Sequence, residues 1–217
     1  LTNSHIVLPM NSGAEAVETV IKAVRKWGYR IKNIPDGKAE IIVCDNNFHG
    51  RTLTIVGFST EEQYKDSFDP FTPGFKSIPF GNAAVLEKVI TSNTVAFMAE
   101  PIQGEAGVIV PPIGYLKQIQ DICSKNKVVL IFDEIVTGFR LAWGGAQERW
   151  GTIPDLATYG KTTSGGYPMA AICGRADVMD TMNGWRHADD PKRIIASGTF
   201  NAYPVGAVAG LATMDEM

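Results

Sequence analysis

Apolar positions along this chain recur with two different periods. Across residues 14–27, Ala16, Val17, Val20, Ile21, Val24 and Trp27 fall at three- and four-residue spacings, which predicts an amphipathic helix with one stripe turned to a core. The Lys32-Asn33-Ile34-Pro35-Asp36-Gly37 run then breaks the pattern, because proline and glycine punctuate a chain into turns. Ile41-Ile42-Val43-Cys44 is continuously apolar rather than alternating, as expected of a strand covered on both faces. Similar runs return at Val95-Ala96-Phe97-Met98-Ala99 and Val128-Val129-Leu130-Ile131-Phe132, and strands are expected near residues 156–159 and 168–173. Helices are expected between and after them, over 83–91, 114–125 and 205–217, while the polar, aromatic and proline-bearing stretch 60–75 reads as a surface loop. Strand and helix in alternation predict an α/β domain with a mostly parallel sheet and helices on both faces. No internal repeat or low-complexity linker divides the chain, so it reads as one domain.

In such sheets ligands sit outside the carboxyl ends of the strands, which singles out Glu100, Asp133 and Lys161. Asn11-Ser12-Gly13-Ala14-Glu15-Ala16 opens the first helix. Its free N–H groups and the positive end of the helix dipole suit an anion such as phosphate, although taken alone an ordinary capped helix start is the commoner meaning. Asp133 ends a buried run, where a lone carboxylate is costly without a cationic partner. A protonated pyridine nitrogen would be one such partner, and a helix cap or ion pair is the plainer reading. Tyr159-Gly160-Lys161-Thr162-Thr163-Ser164-Gly165-Gly166 is superficially like a nucleotide phosphate loop, but position 155 is Asp where that motif requires glycine. A lysine placed there can instead form a Schiff base.

Composition narrows the partners. The 217 residues are 45% apolar and 20% charged, the balance of a globular protein. Lys plus Arg total 20 against 23 Asp plus Glu, a formal charge of −3, which gives no basic excess for nucleic acid. No stretch approaches the ~20 apolar residues needed to cross a bilayer. The three cysteines, Cys44, Cys123 and Cys173, lie in apolar segments and read as buried thiols of a reducing compartment, cytoplasmic or an organelle matrix. His5, His49 and His187 have no ligand spacing, so no metal is expected. His49 lines a pocket or packs, Glu100 is read as structural support, and Trp143, Trp150 and Trp185 are read as packing or interface aromatics.

The helix start, the strand-end aspartate and the later lysine, in that order, resemble the fold-type I enzymes that use pyridoxal phosphate. The local sequences are more specific. Asn11-Ser12-Gly13-Ala14-Glu15-Ala16, Asn47-Phe48-His49-Gly50-Arg51-Thr52 and Glu100-Pro101-Ile102-Gln103-Gly104-Glu105-Ala106-Gly107 resemble class III aminotransferases. So do Phe132-Asp133-Glu134 with Thr137-Gly138, Pro154-Asp155 and Gly160-Lys161. The resemblance implies the large domain of that fold, a seven-stranded, mostly parallel sheet spanning residues 1–217. It also implies that the family's N-terminal segment and C-terminal small domain fall outside these residues.

The resemblance also implies roles. Lys161 forms the Schiff base with pyridoxal 5'-phosphate and later carries a proton between substrate and cofactor carbons. Asp133 pairs with the pyridine nitrogen, so that the ring can act as an electron sink, and Phe48 stacks on the ring. Ser12, Gly13 and Ala14 donate to the phosphate, and Thr199 reaches the phosphate of a neighbouring subunit, implying a homodimer with shared sites. Arg51 contacts a substrate carboxylate, and Glu105 is a gate near the second substrate arginine. Val136 stands where ornithine-type members carry a glutamine that bonds the cofactor's phenolic oxygen. Residues 11–135 resemble ornithine and acetylornithine aminotransferases; from Val136 onward the likeness shifts to glutamate-semialdehyde aminomutase. The expected activity is transfer of an amino group from an ω-amino donor to an oxo acid such as 2-oxoglutarate. The alternatives are intramolecular amine transfer on glutamate semialdehyde, or a non-catalytic or incomplete cofactor-binding domain.

Overall fold

A computed structural model describes residues 6–183 and 189–217; His5, Trp185 and His187 lie outside them. Strand and helix alternate as β1 (Ile6–Met10), α1 (Gly13–Arg30), β2 (Glu40–Cys44), α2 (Leu53–Gly57), β3 (Phe75–Ile78), α3 (Ala83–Val89) and β4 (Thr94–Ala99). There follow α4 (Tyr115–Lys125), β5 (Val129–Asp133), α5 (Gly145–Trp150), β6 (Leu156–Tyr159), β7 (Ala170–Gly174), α6 (Ala176–Met179) and α7 (Pro204–Glu216). Single turns of 3-10 helix occupy Glu62–Tyr64, Lys161–Ser164 and Asp180–Met182.

The seven strands form one sheet in the order β1-β7-β6-β5-β4-β2-β3. From β6 to β3 the neighbours are parallel, whereas β7 runs antiparallel to both β6 and β1. The continuous apolar runs have their explanation here, because alternate residues of a strand face opposite sides. In β5, Val129 and Ile131 join the core under α1 with Val17, Val20 and Val24. Leu130 and Phe132 join the core under α4 with Leu116, Ile119 and Cys123. β2 divides in the same way, Ile41 and Val43 to one side and Ile42 and Cys44 to the other. Cys44, Cys123 and Cys173 are free and buried, and burial pushes the Cys44 and Cys123 thiols up to about 12.

Two differences from the sequence reading bear on the site. Residues 60–75 are not wholly loop, since Glu62–Tyr64 makes a 3-10 turn. Phe75 then begins β3, an edge strand whose middle residues, Lys76 and Ser77, are exposed, so it lacks the apolar run of an interior strand. β1 is a half-exposed edge strand with one antiparallel neighbour, so it lacks a buried strand's apolar run, and α2, α5 and α6, of four to six residues each, are too short for a helical period to show. Among the described residues no helix is long and apolar enough to cross a membrane.

Candidate active site

At the carboxyl edge of the sheet, one cavity of about 350 Å³ gathers residues from five separate segments. Its size suits a small molecule. Gly13 and Ala14 come from the start of α1, Phe48 to Arg51 from the chain after β2, and Glu100 from the end of β4. Asp133 ends β5, Ile135 and Val136 follow it, and Lys161 follows β6.

The start of α1 is built to leave donors free. Ser12 is its N-cap, with Oγ accepting from Glu15 N at 3.3 Å, while the Glu15 carboxylate accepts from the Ser12 and Asn11 amides at 3.1 and 2.8 Å. Ala16 N donates to the Ser12 carbonyl. The Gly13 and Ala14 amides of that turn therefore remain for a ligand. Gly13 also has a steric reason to lack a side chain: a Cβ there would lie 2.7 Å from Ile135 Cδ1, beside Asp133.

Asp133 is buried and fully partnered. Its Oδ2 lies 2.6 Å from His49 Nδ1, and its Oδ1 accepts from Thr158 Oγ1 at 3.0 Å and from Ile135 N at 3.1 Å. Burial alone would lower the pKa of His49, but the Asp133 bond and charge, helped by the charge of Glu100, outweigh it and hold the imidazole above its ordinary value. His49 Nε2 is buried without a partner. Glu100 braces the neighbouring loop: Oε1 accepts from Phe48 N at 2.9 Å and Oε2 from Gly104 N at 3.2 Å. Burial raises its pKa, and that effect prevails over the opposing pull of His49 and the Phe48 amide.

Lys161 projects from the turn after β6 with φ +45, left-handed backbone that costs about 1–2 kcal/mol for a residue with a Cβ. Such strain persists only where the surroundings impose it, often at functional sites. Behind it, buried Glu134 accepts from Thr137 Oγ1, Ala146 N and Gln147 Nε2 at 3.0, 2.7 and 3.3 Å. It thereby ties the loop after β5 to α5.

Of the residues singled out in the sequence, Lys161, Asp133, Gly13, Ala14, Phe48, Val136 and Arg51 meet in this cavity. Ser12 is drawn into the cap. Glu105 lines an adjoining cavity of about 360 Å³ with Phe48 and Tyr64, and Thr199 is exposed on the turn before α7. His49 and Thr158 as partners of Asp133 had no signal in the sequence, because neither is spaced from it by any helical or strand period. A larger cavity of about 650 Å³ opens at the amino end of the sheet. Several of its cations are already engaged: Lys32 donates to the Thr94 carbonyl at 2.6 Å and Arg175 pairs with Asp155 at 2.6 Å. Among the described residues no group of His, Cys, Asp and Glu is placed to hold a metal ion.

A mostly parallel sheet with a lysine, a buried aspartate and a helix N-terminus converging on its carboxyl edge defines an α/β protein of fold type I. The chain belongs to the class III aminotransferases: the family model, aminotransferase class-III, matches residues 1–217. It is 45% identical over 217 residues to an ornithine aminotransferase of Brevibacillus brevis, covering 99% of this chain and 52% of that protein. With an ornithine aminotransferase of Bordetella pertussis the identity is 53% over 189 residues, 86% of this chain and 46% of the relative. The solved ornithine aminotransferase of Toxoplasma gondii superposes with a TM-score of 0.90 at 40% identity, over 98% of this chain and 48% of that one. The chain thus spans about half the length of the relatives it matches.

Proposed function

We propose that this chain is the cofactor-binding part of a pyridoxal-phosphate-dependent aminotransferase acting on an ornithine-like ω-amino donor, with 2-oxoglutarate or a similar oxo acid as acceptor. The observation that carries the reading is the convergence of Lys161, Asp133, Phe48 and the free amides of Gly13 and Ala14 on one cavity. The residues fit the group on their own chemistry. A helix N-terminus with two uncommitted amides suits a phosphate, and a buried carboxylate can meet a ring cation. The Toxoplasma relative's structure is described with this cofactor at its active site. When bound, pyridoxal phosphate supplies a carbonyl that takes up an amine and a ring that withdraws electrons.

The protein's own groups divide the remaining work. Asp133, held at both oxygens, offers its charge to the ring nitrogen in a fixed direction, and His49 and Thr158 prevent it from turning away. Glu100, through the Phe48 amide, fixes the segment from which Phe48 presents its ring. The Lys161 amine captures the cofactor and, once displaced, accepts and returns a proton at Nζ. Arg51, at the cavity wall, is the cation for a substrate carboxylate, with Glu105 next door. Val136 favours a second reading, intramolecular amine transfer on glutamate semialdehyde, because it brings an apolar wall where ornithine-type members carry glutamine. We further propose a homodimer in which Thr199 serves the partner's site, housed in a reducing compartment such as the cytoplasm, where three buried free thiols persist.

The full-length protein given pyridoxal phosphate is expected to absorb near the visible edge and, after borohydride, to carry the cofactor's mass on Lys161. Equal labelling of Lys161→Ala refutes the lysine's role. Amino transfer from ornithine to 2-oxoglutarate supports the leading reading, turnover of glutamate semialdehyde alone replaces it with the second, and neither activity leaves a binding domain. Sedimentation of the same preparation tests the dimer.

A further inference from the structure

Arg51 is held by aromatic rings rather than by an acid. Its guanidinium carbon lies 5.0 Å from the centroid of Phe48 and 5.9 Å from that of Tyr64. The two rings meet edge to face, 5.9 Å apart at 68°. Among the described residues no carboxylate lies within ion-pair distance of Arg51. A guanidinium resting on aromatic faces keeps its N–H edge unspent, and that edge is what a carboxylate engages with two parallel hydrogen bonds. An acidic partner would have consumed those donors and cancelled the charge.

Tyr64 comes from the 3-10 turn Glu62–Tyr64, between α2 and β3. The turn is shaped locally: Tyr64 N donates to the Glu61 carbonyl at 3.1 Å, the Glu61 side chain accepts from Gln63 N at 3.2 Å, and Lys65 pairs with Glu62 at 3.0 Å. Tyr64 is half-buried. It lines one cavity with Arg51 and another with Glu105 and Phe48, so its ring is shared between the cavity that holds the cation and the one that holds Glu105.

We propose that Tyr64 is a specificity-determining positioning residue, which with Phe48 clamps the Arg51 guanidinium at the cavity rim and so selects amino donors that carry a carboxylate. This rests on the transaminase reading above and adds to it the element that enforces the choice of donor. Tyr64 acts through Arg51. Its removal frees the guanidinium to swing, and leaves Glu105 able to approach it.

The test uses the full-length holoenzyme with Tyr64→Ala and Tyr64→Phe and two donors, L-ornithine and 1,4-diaminobutane, which lacks the carboxylate. Loss of one cation–π contact predicts a rise in KM for ornithine of about tenfold in Tyr64→Ala, with kcat within about twofold. KM for 1,4-diaminobutane should be unchanged, and Tyr64→Phe, which keeps the ring, should match the wild type. Independently of turnover, calorimetry with pentanoate, an unreactive carboxylate, should show binding weakened by a similar factor in Tyr64→Ala only. An equal rise in KM for both donors, or no rise for ornithine, overturns the clamp. If the wild type does not use ornithine yet pentanoate binding follows the ring, the clamp stands and the ornithine reading fails. If Tyr64→Ala loses the cofactor's spectrum, Tyr64→Leu, apolar but without a ring, takes its place under the same criteria.

Discussion

A carboxylate at the end of a buried strand is costly unless its charge is met, and Asp133 is met by the His49 ring, the Thr158 hydroxyl and the Ile135 amide. Removing His49 takes away a charge-assisted bond worth about 1.5–3 kcal/mol, so His49→Gln should lower stability by roughly that amount in chemical denaturation. The loss should depend on pH. The folded-state pKa of His49 stands above its ordinary 6.5, so the folded protein binds the proton more tightly than the unfolded chain. That contribution is complete below about pH 6.5 and fades as pH rises through the raised value. Glu100 acts with the same sign from a lower start, its folded pKa standing above the ordinary 4.5, so stability declines as pH climbs from there. Unfolding followed between about pH 6 and 9 should therefore show a downward slope in the wild type, shallower in His49→Gln. Asp133 was legible from its place at the end of an apolar run. His49 was visible only as a neighbour of the stacking ring, because its partner lies 84 residues away and a contact of that range leaves no local pattern.

Between β5 and α5 the chain is organised by a single buried carboxylate, Glu134, whose pKa is raised by burial against the pull of the Ala146 amide and the Thr137 hydroxyl. Gly145 pays the steric cost of that arrangement. It has φ +68, and a Cβ placed on it would stand 2.4 Å from Glu134 Oε2. Gly145→Ala combines left-handed backbone strain with a collision against a group that has no room to retreat. It should cost about 2 kcal/mol or more, read as a drop in the denaturation midpoint. Cofactor absorbance should weaken with it, since the same loop carries Val136. A change at Gly151, where φ is +62 but nothing lies within 4 Å, should cost only the backbone part. Elements of this scale divide by length in how far the sequence reveals them. α1, with 18 residues and a cap, spans many turns of its period, whereas α2 and α5 span little more than one turn and are defined by what they touch.

For the molecule as a whole, the parallel sheet and its two covered faces were legible, because interior strands must be apolar on both sides and β2, β4 and β5 are. The antiparallel β1 and the edge strand β3 were not, since each has one neighbour in the sheet and the sequence carries no mark of who that neighbour is. β4 shows how much rests on the centre. Phe97 is fully buried between β2 and β5, and Phe97→Ala should cost about 3–5 kcal/mol, measured by denaturation, although the residue itself lines no part of the cavity. Strand order also sets when the site exists. Gly13 stands near one end of the described chain and Lys161 far along it, and β4, made between β2 and β5, must be threaded between them before Phe48 and Asp133 face each other. At about 5–20 residues per second of synthesis, the free amides of α1 wait many seconds for the lysine. Closure of the cavity is thus a late step in the synthesis of these residues, open only to a chain that has already paired β2, β4, β5 and β6, and a half-made chain presents the helix amides without the lysine.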